Sequence, residues 1–525
     1  MTETAAQTVA PAPRVVNSTA VHLSAFAVAY VSIVATYGDH FATASAGTLT
    51  VATAAFILGQ SGRYQLTRVC QLVLVIWYIA SPLLSFYVRF PEEKSMLTFD
   101  RIAIGTVVLT LLAAYVRERS RSIQESVLHR RSTIDGFSFS LTPFEIAWTV
   151  LTLVAVASVL AKSNHLGFAG RTALDAFALP VVLFYVARRH VEPGTCRKGL
   201  YLGAVALALF LVATGAYELV RGDLFQVKGS ELIRGQETRV NGPFATDSSF
   251  AVISVLLAVF LRAAPSALGL KLRGIARLVH VIAVIAAIVA SLFPAYRGIA
   301  IALLAAWATY EAGVAGLLTR RRSETDGVRR HAVFGARTLA LGGALALILI
   351  VIVALSPGLF ERRLISPGNL FSRVATWEGA ARVARDNPLF GVGLWNFTEH
   401  FETYYHDDWS PLEVALDTRI TAGPHSNVLW IASELGLVGL IPYLCANLFL
   451  LIMGVRAIRR ASSRQVLSAA ACFLALLAGY WVAGLGLVSG IYSDLNLYFF
   501  FLLGLLSGSM SDKGAAAISG RQHGS

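Results

Sequence analysis

A chain of 525 residues that is 56% hydrophobic and only 14% charged, with a mean hydropathy of +0.63, does not belong among soluble globular proteins. Its apolar runs recur along most of the length, which predicts one polytopic membrane domain rather than several soluble ones. The net charge of +13 would suggest nucleic acid in a soluble protein. Here Lys and Arg gather most densely in the connections of one side, so no nucleic-acid partner is expected.

In chain order, residues 1–17 are rich in Ala, Pro and Thr and carry an acidic Glu3. They lack the cationic segment and cleavage site of a signal peptide and read as a disordered cytoplasmic tail. About 12–14 apolar spans follow. The candidates are 19–37, 42–59, 67–88, 99–116, 143–162, 173–188, 199–220, 248–262, 277–294, 297–318 and 336–356, then 427–453, 466–488 and 494–510. The expected fold is therefore all-α. Transmembrane helices with short loops occupy 18–356, a large polar loop with short helices occupies 357–426, C-terminal spans occupy 427–510, and a disordered tail occupies 511–525. Cys70, Cys445 and Cys472 fall in spans and Cys196 in a basic connection, so neither a disulfide framework nor a Cys-ligated metal site is expected.

Orientation follows from the Lys/Arg bias of short loops. The connections holding Arg117 to Arg131, Arg188 to Lys198, Arg320 to Arg330 and Arg456 to Arg464 are assigned to the cytoplasm. Alternation then puts the 221–247 loop, the 295–297 turn and the 357–426 loop outside. Four arginines stand on that disfavoured side: Arg171, Arg239 and Arg297 near span ends, and Arg373 in the long loop. One such arginine snorkels to headgroups without further meaning. Four of them beside a histidine-bearing loop point to an anionic ligand, because a guanidinium fork suits phosphate.

The long loop is the chief polar interruption of the membrane part. It holds His400, His406 and His425 among the chain's eleven histidines, and the pair Asp407-Asp408. From Arg373 to Arg382 the apolar residues Val374, Trp377, Ala381 and Ala384 fall at helical spacing, which predicts an amphipathic interfacial helix. Asp386-Asn387-Pro388 stops it, and Gly391 and Gly393 permit a tight return. Phe397, Phe401, Tyr404 and Tyr405 offer ring faces that suit either a sugar or a membrane-surface belt. His406-Asp407-Asp408 lacks a second ligand pair at defined spacing, so no metal is assigned.

Four segments carry a resemblance. They are Arg239-Val-Asn-Gly242-Pro-Phe244, Arg297-Gly298 after Ser291-Leu-Phe-Pro-Ala-Tyr, and Arg373…Trp377…Asn387-Pro-Leu-Phe-Gly391-Val-Gly393…Phe397. The fourth is Pro424-His425-Ser426-Asn427…Glu434-Leu-Gly436-Leu-Val-Gly439. In this order, over residues 235–450, the chain resembles the O-antigen ligase and O-antigen polymerase family of the C-type glycosyltransferase superfamily. It departs in having Pro-His-Ser-Asn where many members have His-Asn or a second histidine nearby. The resemblance implies a bacterial inner-membrane enzyme with a periplasmic active face and no cofactor or metal. Such an enzyme moves a glycan from undecaprenyl diphosphate to an acceptor hydroxyl, on a growing glycan in a polymerase or on the lipid A core in a ligase.

That chemistry needs a stabiliser for the departing diphosphate and a base for the acceptor hydroxyl. Arginines serve the first need without a metal, and Arg297 is the first choice, with Arg239, Arg373 and Arg171 as further diphosphate contacts. Histidine serves the second at neutral pH, and His425 has the address, just ahead of a span with Ser426 or Asn427 able to orient it or cap the helix. Glu434 lies about two turns into that span, either as a helix-contact acid or as a partner for an arginine, and Asn427 and Glu434 are counted with the arginines as candidate substrate-binding residues. The competing reading is a transporter or flippase of lipid-linked sugars. It calls for mid-span ionisable residues and repeated broken spans, and the nearest candidates are Glu218, His280 and Glu311.

Overall fold

The computed structural model describes residues 63–87, 89–90, 97–128, 141–191, 193–221, 240–244, 246–294, 296–315, 343, 368–403 and 424–510. The chain divides into two units, Met1–Gln60, outside the described residues, and Ser61–Ser525, to which all that follows refers. Both tails, the spans 19–37 and 42–59, and span 336–356 apart from residue 343 also lie outside the described residues.

The described part is helical, with one antiparallel pair of two-residue strands, Arg89–Phe90 and Leu97–Thr98, between the first two helices. The helices are α1 (Arg63–Tyr87), α2 (Phe99–Leu128), α3 (Pro143–Lys162), α4 (Leu166–His190), α5 (Pro193–Arg221), α6 (Asp247–Ala267), α7 (Ile275–Leu292) and α8 (Arg297–Val314). After them come α9 (Gly368–Asp386), α10 (Phe397–Thr403), α11 (Asn427–Arg460), α12 (Arg464–Gly484) and α13 (Ser493–Ser509). Among the described residues seven helices are long and apolar enough to cross a membrane: α3, α4, most of α5, α6, α7, α11 and α12. The polytopic architecture expected from hydropathy is present.

Local chemistry sets several helix ends. Thr142 and Glu145 form a capping box at the start of α3, with Pro143 in its first turn. Glu145 is then gripped by Arg188 of α4, whose Nε and Nη2 lie 3.0 and 2.7 Å from its two oxygens. Span 173–188 begins earlier than hydropathy suggests, at Leu166, and Ala173–Ala178 forms a π-helical turn inside it. The wider turn frees backbone acceptors, and Trp148 Nε1 of α3 donates to the Phe177 carbonyl at 2.9 Å. Asp175 in the same turn takes both Nε and Nη2 of Arg101 from α2, at 2.9 and 2.6 Å.

The helices at the centre are buried all round. In α6 nearly every residue from Asp247 to Ala264 is buried, and in α13 nearly every residue from Leu495 to Leu506. That is the pattern of a helix with no lipid face. By contrast α7 shows Ile275, Leu278, Ile282 and Ile285, and α11 shows Leu437, Ile441, Leu444 and Leu448, as surfaces suited to acyl chains. Small residues let the inner helices approach. A methyl on Gly313 of α8 would meet Ala471 of α12, and one on Gly479 of α12 would meet Ala306 of α8. This antiparallel register brings Arg297, at the start of α8, level with the turn that follows α12. The bundle thus has a basic end, where Arg188, Arg459, Arg460 and Arg464 lie, and an opposite end that carries α9 and α10.

Candidate functional site

The loop helices are tied to the bundle by a break in α11. Gly436 has φ 63° and ψ −161°, so the helix is interrupted there. The break leaves backbone groups unpaired at a depth where unpaired groups are costly, and the segment after α9 supplies their partners. Val392 N donates to Ser433 O at 2.9 Å, and Gly393 N to Glu434 O at 2.9 Å. In return Leu437 N donates to Pro388 O at 2.8 Å and Val438 N to Leu389 O at 3.1 Å. The two strongest sequence motifs, Asn387 to Gly393 and Glu434 to Gly436, are therefore one backbone-to-backbone clamp.

The contact explains both glycines. A Cβ on Gly391 (φ 59°) would sit 2.3 Å from the Glu434 carbonyl carbon, and one on Gly436 would sit 2.5 Å from Gly391 N. Glu434 is buried, and its carboxylate accepts from Trp430 Nε1 at 2.7 Å and from Phe397 N at 3.4 Å. The groups around it belong to Trp430, Trp395 and Phe397.

A socket of residues that sequence reasoning passed over holds the other side of this segment. Lys162 Nζ donates to Gly391 O at 2.8 Å, Asn396 Nδ2 to Lys162 O at 2.8 Å, and Leu394 N to Ser158 Oγ at 3.0 Å. Beyond them Asn164 Nδ2 donates to Glu399 at 2.9 Å and His165 Nε2 meets the other Glu399 oxygen at 2.8 Å. The Asn164 amide first, and His165 next, hold the exposed Glu399 carboxyl below the usual glutamate range. Trp395 (φ 70°) donates to Thr172 Oγ1 and lies 5.4 Å from the Phe168 ring, and Arg171 covers that ring at 4.6 Å. Arg171 thus borders the clamp, as half-buried as its position near a span end implies.

The predicted helix α9 is present and stops at Asp386. Thr376, Gly379, Ala380 and Val383 are buried toward α10 and α11, while Val374 and Ala381 are exposed on the other side. A correction concerns the aromatic residues. Phe397 and Phe401 are 1% and 2% exposed, with rings 5.4 Å apart and Phe401 against Gly379. They build the small core of the loop and present no face to a sugar. Tyr404, Tyr405, His406, Asp407 and Asp408 lie outside the described residues, as does Arg239.

At the end of the bundle, α9 and the start of α11 converge on the turn after α12. Arg373 is half-buried, and its Nη1 lies 2.8 Å from where a Cβ on Gly486 would stand. Asn427 is buried, donates to Ser489 Oγ at 2.7 Å and accepts from Gly490 N at 2.9 Å. Ser426 occupies the N-cap of α11 without a side-chain capping bond, so neither Ser426 nor Asn427 caps the helix as anticipated. Asn427 clamps the turn instead. The last two helices, which add only hydrophobicity in a sequence reading, supply this turn; three glycines in seven residues, Gly484 to Gly490, were the available signal.

His425 is half-buried and has φ 48°, one of two non-glycine residues with positive φ among those described. A left-handed backbone costs energy outside glycine, less so for His than for bulky residues, and such outliers gather at functional sites. Trp377 Nε1 of α9 reaches the His425 carbonyl at 3.4 Å, which joins the third and fourth sequence motifs a second time. Arg297 is exposed at the first position of α8. The preceding Tyr296 donates its hydroxyl to buried Asp247 at 2.5 Å, fixing the start of α8 beside that of α6. The cavity beneath Asn427, bounded also by Trp430, Tyr443, Tyr480 and Asn496, has room for about one water molecule.

No protein-family model matches this chain, and no curated protein is significantly similar to it.

Proposed function

We propose that this chain is a membrane glycosyltransferase of the O-antigen ligase or polymerase type. It transfers a glycan from undecaprenyl diphosphate to an acceptor hydroxyl, on a growing glycan or a lipid A core, during assembly of a bacterial surface polysaccharide. The end carrying α9 and α10 is its periplasmic face on the inner membrane. The observation that supports this most is the convergence of Arg373 and Asn427 on one turn, with His425 two residues before Asn427 and tied to α9 through Trp377, and with the start of α8 and Arg297 at the same level.

In the proposed reaction His425 takes the proton of the acceptor hydroxyl as its oxygen bonds to the anomeric carbon. The bond from that carbon to the diphosphate oxygen breaks, and undecaprenyl diphosphate leaves with the electron pair. Arg373 and Arg297 bind the growing charge, aided by Arg171 and Arg239 along the approach. A base of this kind is worth about 10²–10⁴-fold, and preorganised cations often contribute the largest share of catalysis. Glu434 serves the clamp.

The broken α11 and the buried acids Glu218, Glu311 and Glu434 favour the transporter reading, since broken helices and intramembrane charges mark transport sites. Those acids, however, are held by fixed donors: Glu218 by Asn241 N and Gly242 N at 2.7 and 2.9 Å, Glu311 by Arg262 at 2.6 Å. The cavity beneath Asn427 is also too small for a sugar.

Deleting the gene and analysing carrier-linked and acceptor-linked glycans tests the proposal. A ligase leaves long chains on the carrier and none on the acceptor; a polymerase leaves single repeats. Glycans trapped on the inner side with both chemistries intact would support transport instead. Arg297→Ala and His425→Ala should each lower transfer at least 10²-fold while protein still reaches the membrane; near-normal product from both would remove the mechanism.

A further inference from the structure

The clamp and its socket lie at one level of the bundle, which two helix lengths fix. α3 runs 20 residues from Pro143 to Lys162, about 30 Å, and Glu145 in its first turn is held by Arg188 at the basic end. Its last residue, Lys162, meets Gly391 O in the clamp. α11 gives the same measure. Between Gly436, where the clamp grips it, and Arg456 near the basic end lie about 20 residues, again about 30 Å. That is the thickness of a bilayer's hydrocarbon core. With the arginines of the basic end at one boundary, the clamp stands at the other, and the start of α11 at Asn427 lies about 13 Å further out along its axis.

At that level the surface is apolar and aromatic. Leu389, Phe390 and Phe168 are each more than half exposed, and Trp395 more than a third. Short contacts join them. The Trp395 and Phe168 rings are 5.4 Å apart, a Cβ on Gly393 would lie 2.8 Å from Lys162 Cβ, and Lys162 Nζ stands 5.7 Å from the Phe390 ring. Leu389 O accepts from Val438 N, beside Leu437 at the head of the exposed aliphatic row of α11, so the patch continues a surface suited to acyl chains. Two cations border it. Arg171 lies over Phe168 at 4.6 Å and, among the described residues, holds no hydrogen bond or ion pair. Lys162 gives Gly391 O one of its three donors. An indole, bare apolar side chains and cations with donors to spare, all at one level, match the boundary of a bilayer, where aromatic rings settle among headgroups and guanidinium meets phosphate.

We infer that this patch docks the base of the long loop on the membrane leaflet opposite the basic end. Leu389, Phe390, Phe168 and Trp395 enter the layer between acyl chains and headgroups, and Arg171 and Lys162 hold the phosphates of its phospholipids. Because residues 388–393 are clamped to α11, the membrane surface then fixes the height of the loop's base. The inference does not rest on the proposed glycosyl transfer, in which Arg171 keeps its place, since a lipid-carried diphosphate arrives at this same level.

The test uses the full chain in nanodiscs of phosphatidylcholine with one part in about three of phosphatidylglycerol. Photoreactive benzoylphenylalanine takes the place of Phe168, Phe390 or Glu378, and adducts are read by mass spectrometry. The first two positions should capture lipid. Glu378, exposed on α9 between Arg373 and the clamp, should capture little. Tryptophan fluorescence needs no such label: the signal lost in Trp395→Phe should be quenched more by lipid brominated near the headgroup than by lipid brominated near the chain tips. Among adducts at Phe168, phosphatidylglycerol should be enriched about fivefold, the worth of one basic side chain near an anionic surface, and Arg171→Gln should remove that enrichment. Lipid adducts at Phe168 and Phe390 no more frequent than at Glu378, or adducts to a second copy of the chain in their place, would overturn the docking. No quenching of Trp395 by either lipid, or stronger quenching from the chain tips, would overturn the depth. A lipid ratio that Arg171→Gln leaves unchanged would overturn the part given to Arg171.

Discussion

Replacing Gly391 by alanine should undock the loop helices without unfolding the bundle. The new methyl would stand 2.3 Å from the Glu434 carbonyl carbon and 2.4 Å from its oxygen, and both are backbone atoms that cannot swing aside. The residue must also hold φ 59°, which costs an L-residue about 1–2 kcal/mol. Relief requires the 388–393 segment to leave α11, with loss of the four bonds between Pro388, Leu389, Val392 and Gly393 and residues 433–438. At about 1 kcal/mol net for each, the clamp loses on the order of 4 kcal/mol, a local opening about a thousandfold more frequent. Hydrogen–deuterium exchange in nanodiscs reads this directly. The amides of Val392, Gly393, Leu437 and Val438 should lose protection together, while α6 and α12 keep theirs. Gly105→Ala in α2, where nothing lies within 4 Å, is the control and should be neutral or stabilising by about 0.5–1 kcal/mol. Unchanged protection of those four amides in Gly391→Ala would refute the clamp.

Two further outcomes follow from the same geometry. Gly486→Ala places a methyl 2.8 Å from Arg373 Nη1, the far end of a flexible side chain. The protein should therefore keep its thermal stability, yet lose about tenfold to a hundredfold in the proposed glycan transfer as the guanidinium shifts; unaltered transfer would separate Arg373 from the proposed reaction. The Glu399 contact to Asn164 and His165 should be acid-sensitive. Its carboxyl is held below the ordinary value, so its stabilisation is complete above about pH 4.3 and is lost as pH falls through the lowered value. Proteolytic release of 396–403 should rise on acidification in the parent and be independent of pH in that range in Glu399→Gln. Matching profiles would show that another group carries the effect.

What could be read from the sequence tracks the range of the interaction responsible. Helix existence is local, so hydropathy found span 143–162 to the residue, and it came within a few positions of α6, α7, α12 and α13. The start of α4 was missed because its π-helical turn answers to Trp148 and Arg101 on other helices. The protein-facing side of α9 was not legible for a similar reason. Helical spacing around Val374 is as good as that around Ala380, and the buried side is set by Phe401 filling the space over Gly379. Phe397 and Phe401 looked like sugar platforms because an aromatic side chain suits a core and a ligand equally well. At the candidate site, residue type singled out His425 and Arg373, which the fold sets near the turn after α12. Nothing local distinguished Lys162, Ser158 or Gly486, whose roles exist only through partners 80 or more residues away.

The clamp changes what the long loop is. A membrane helix broken at Gly436 needs donors and acceptors from elsewhere in the protein, and four residues of the 388–393 segment provide them. The base of the loop is therefore part of the membrane domain. Its second tie runs from Trp377 to the carbonyl of His425 and its third from Arg373 to Gly486. Backbone bonds leave side chains free to vary around them but tolerate no added Cβ at Gly391 or Gly436. Hence the marks visible in the sequence are glycines at fixed places, while the polar residues they position are scattered and common in type. Three separate ties thus fix the base of the loop, the backbone of a histidine held at φ 48°, and a positively charged α9 side chain beside the turn after α12. Such constraint on two residues with little role in the core is the structural ground on which the proposed site rests.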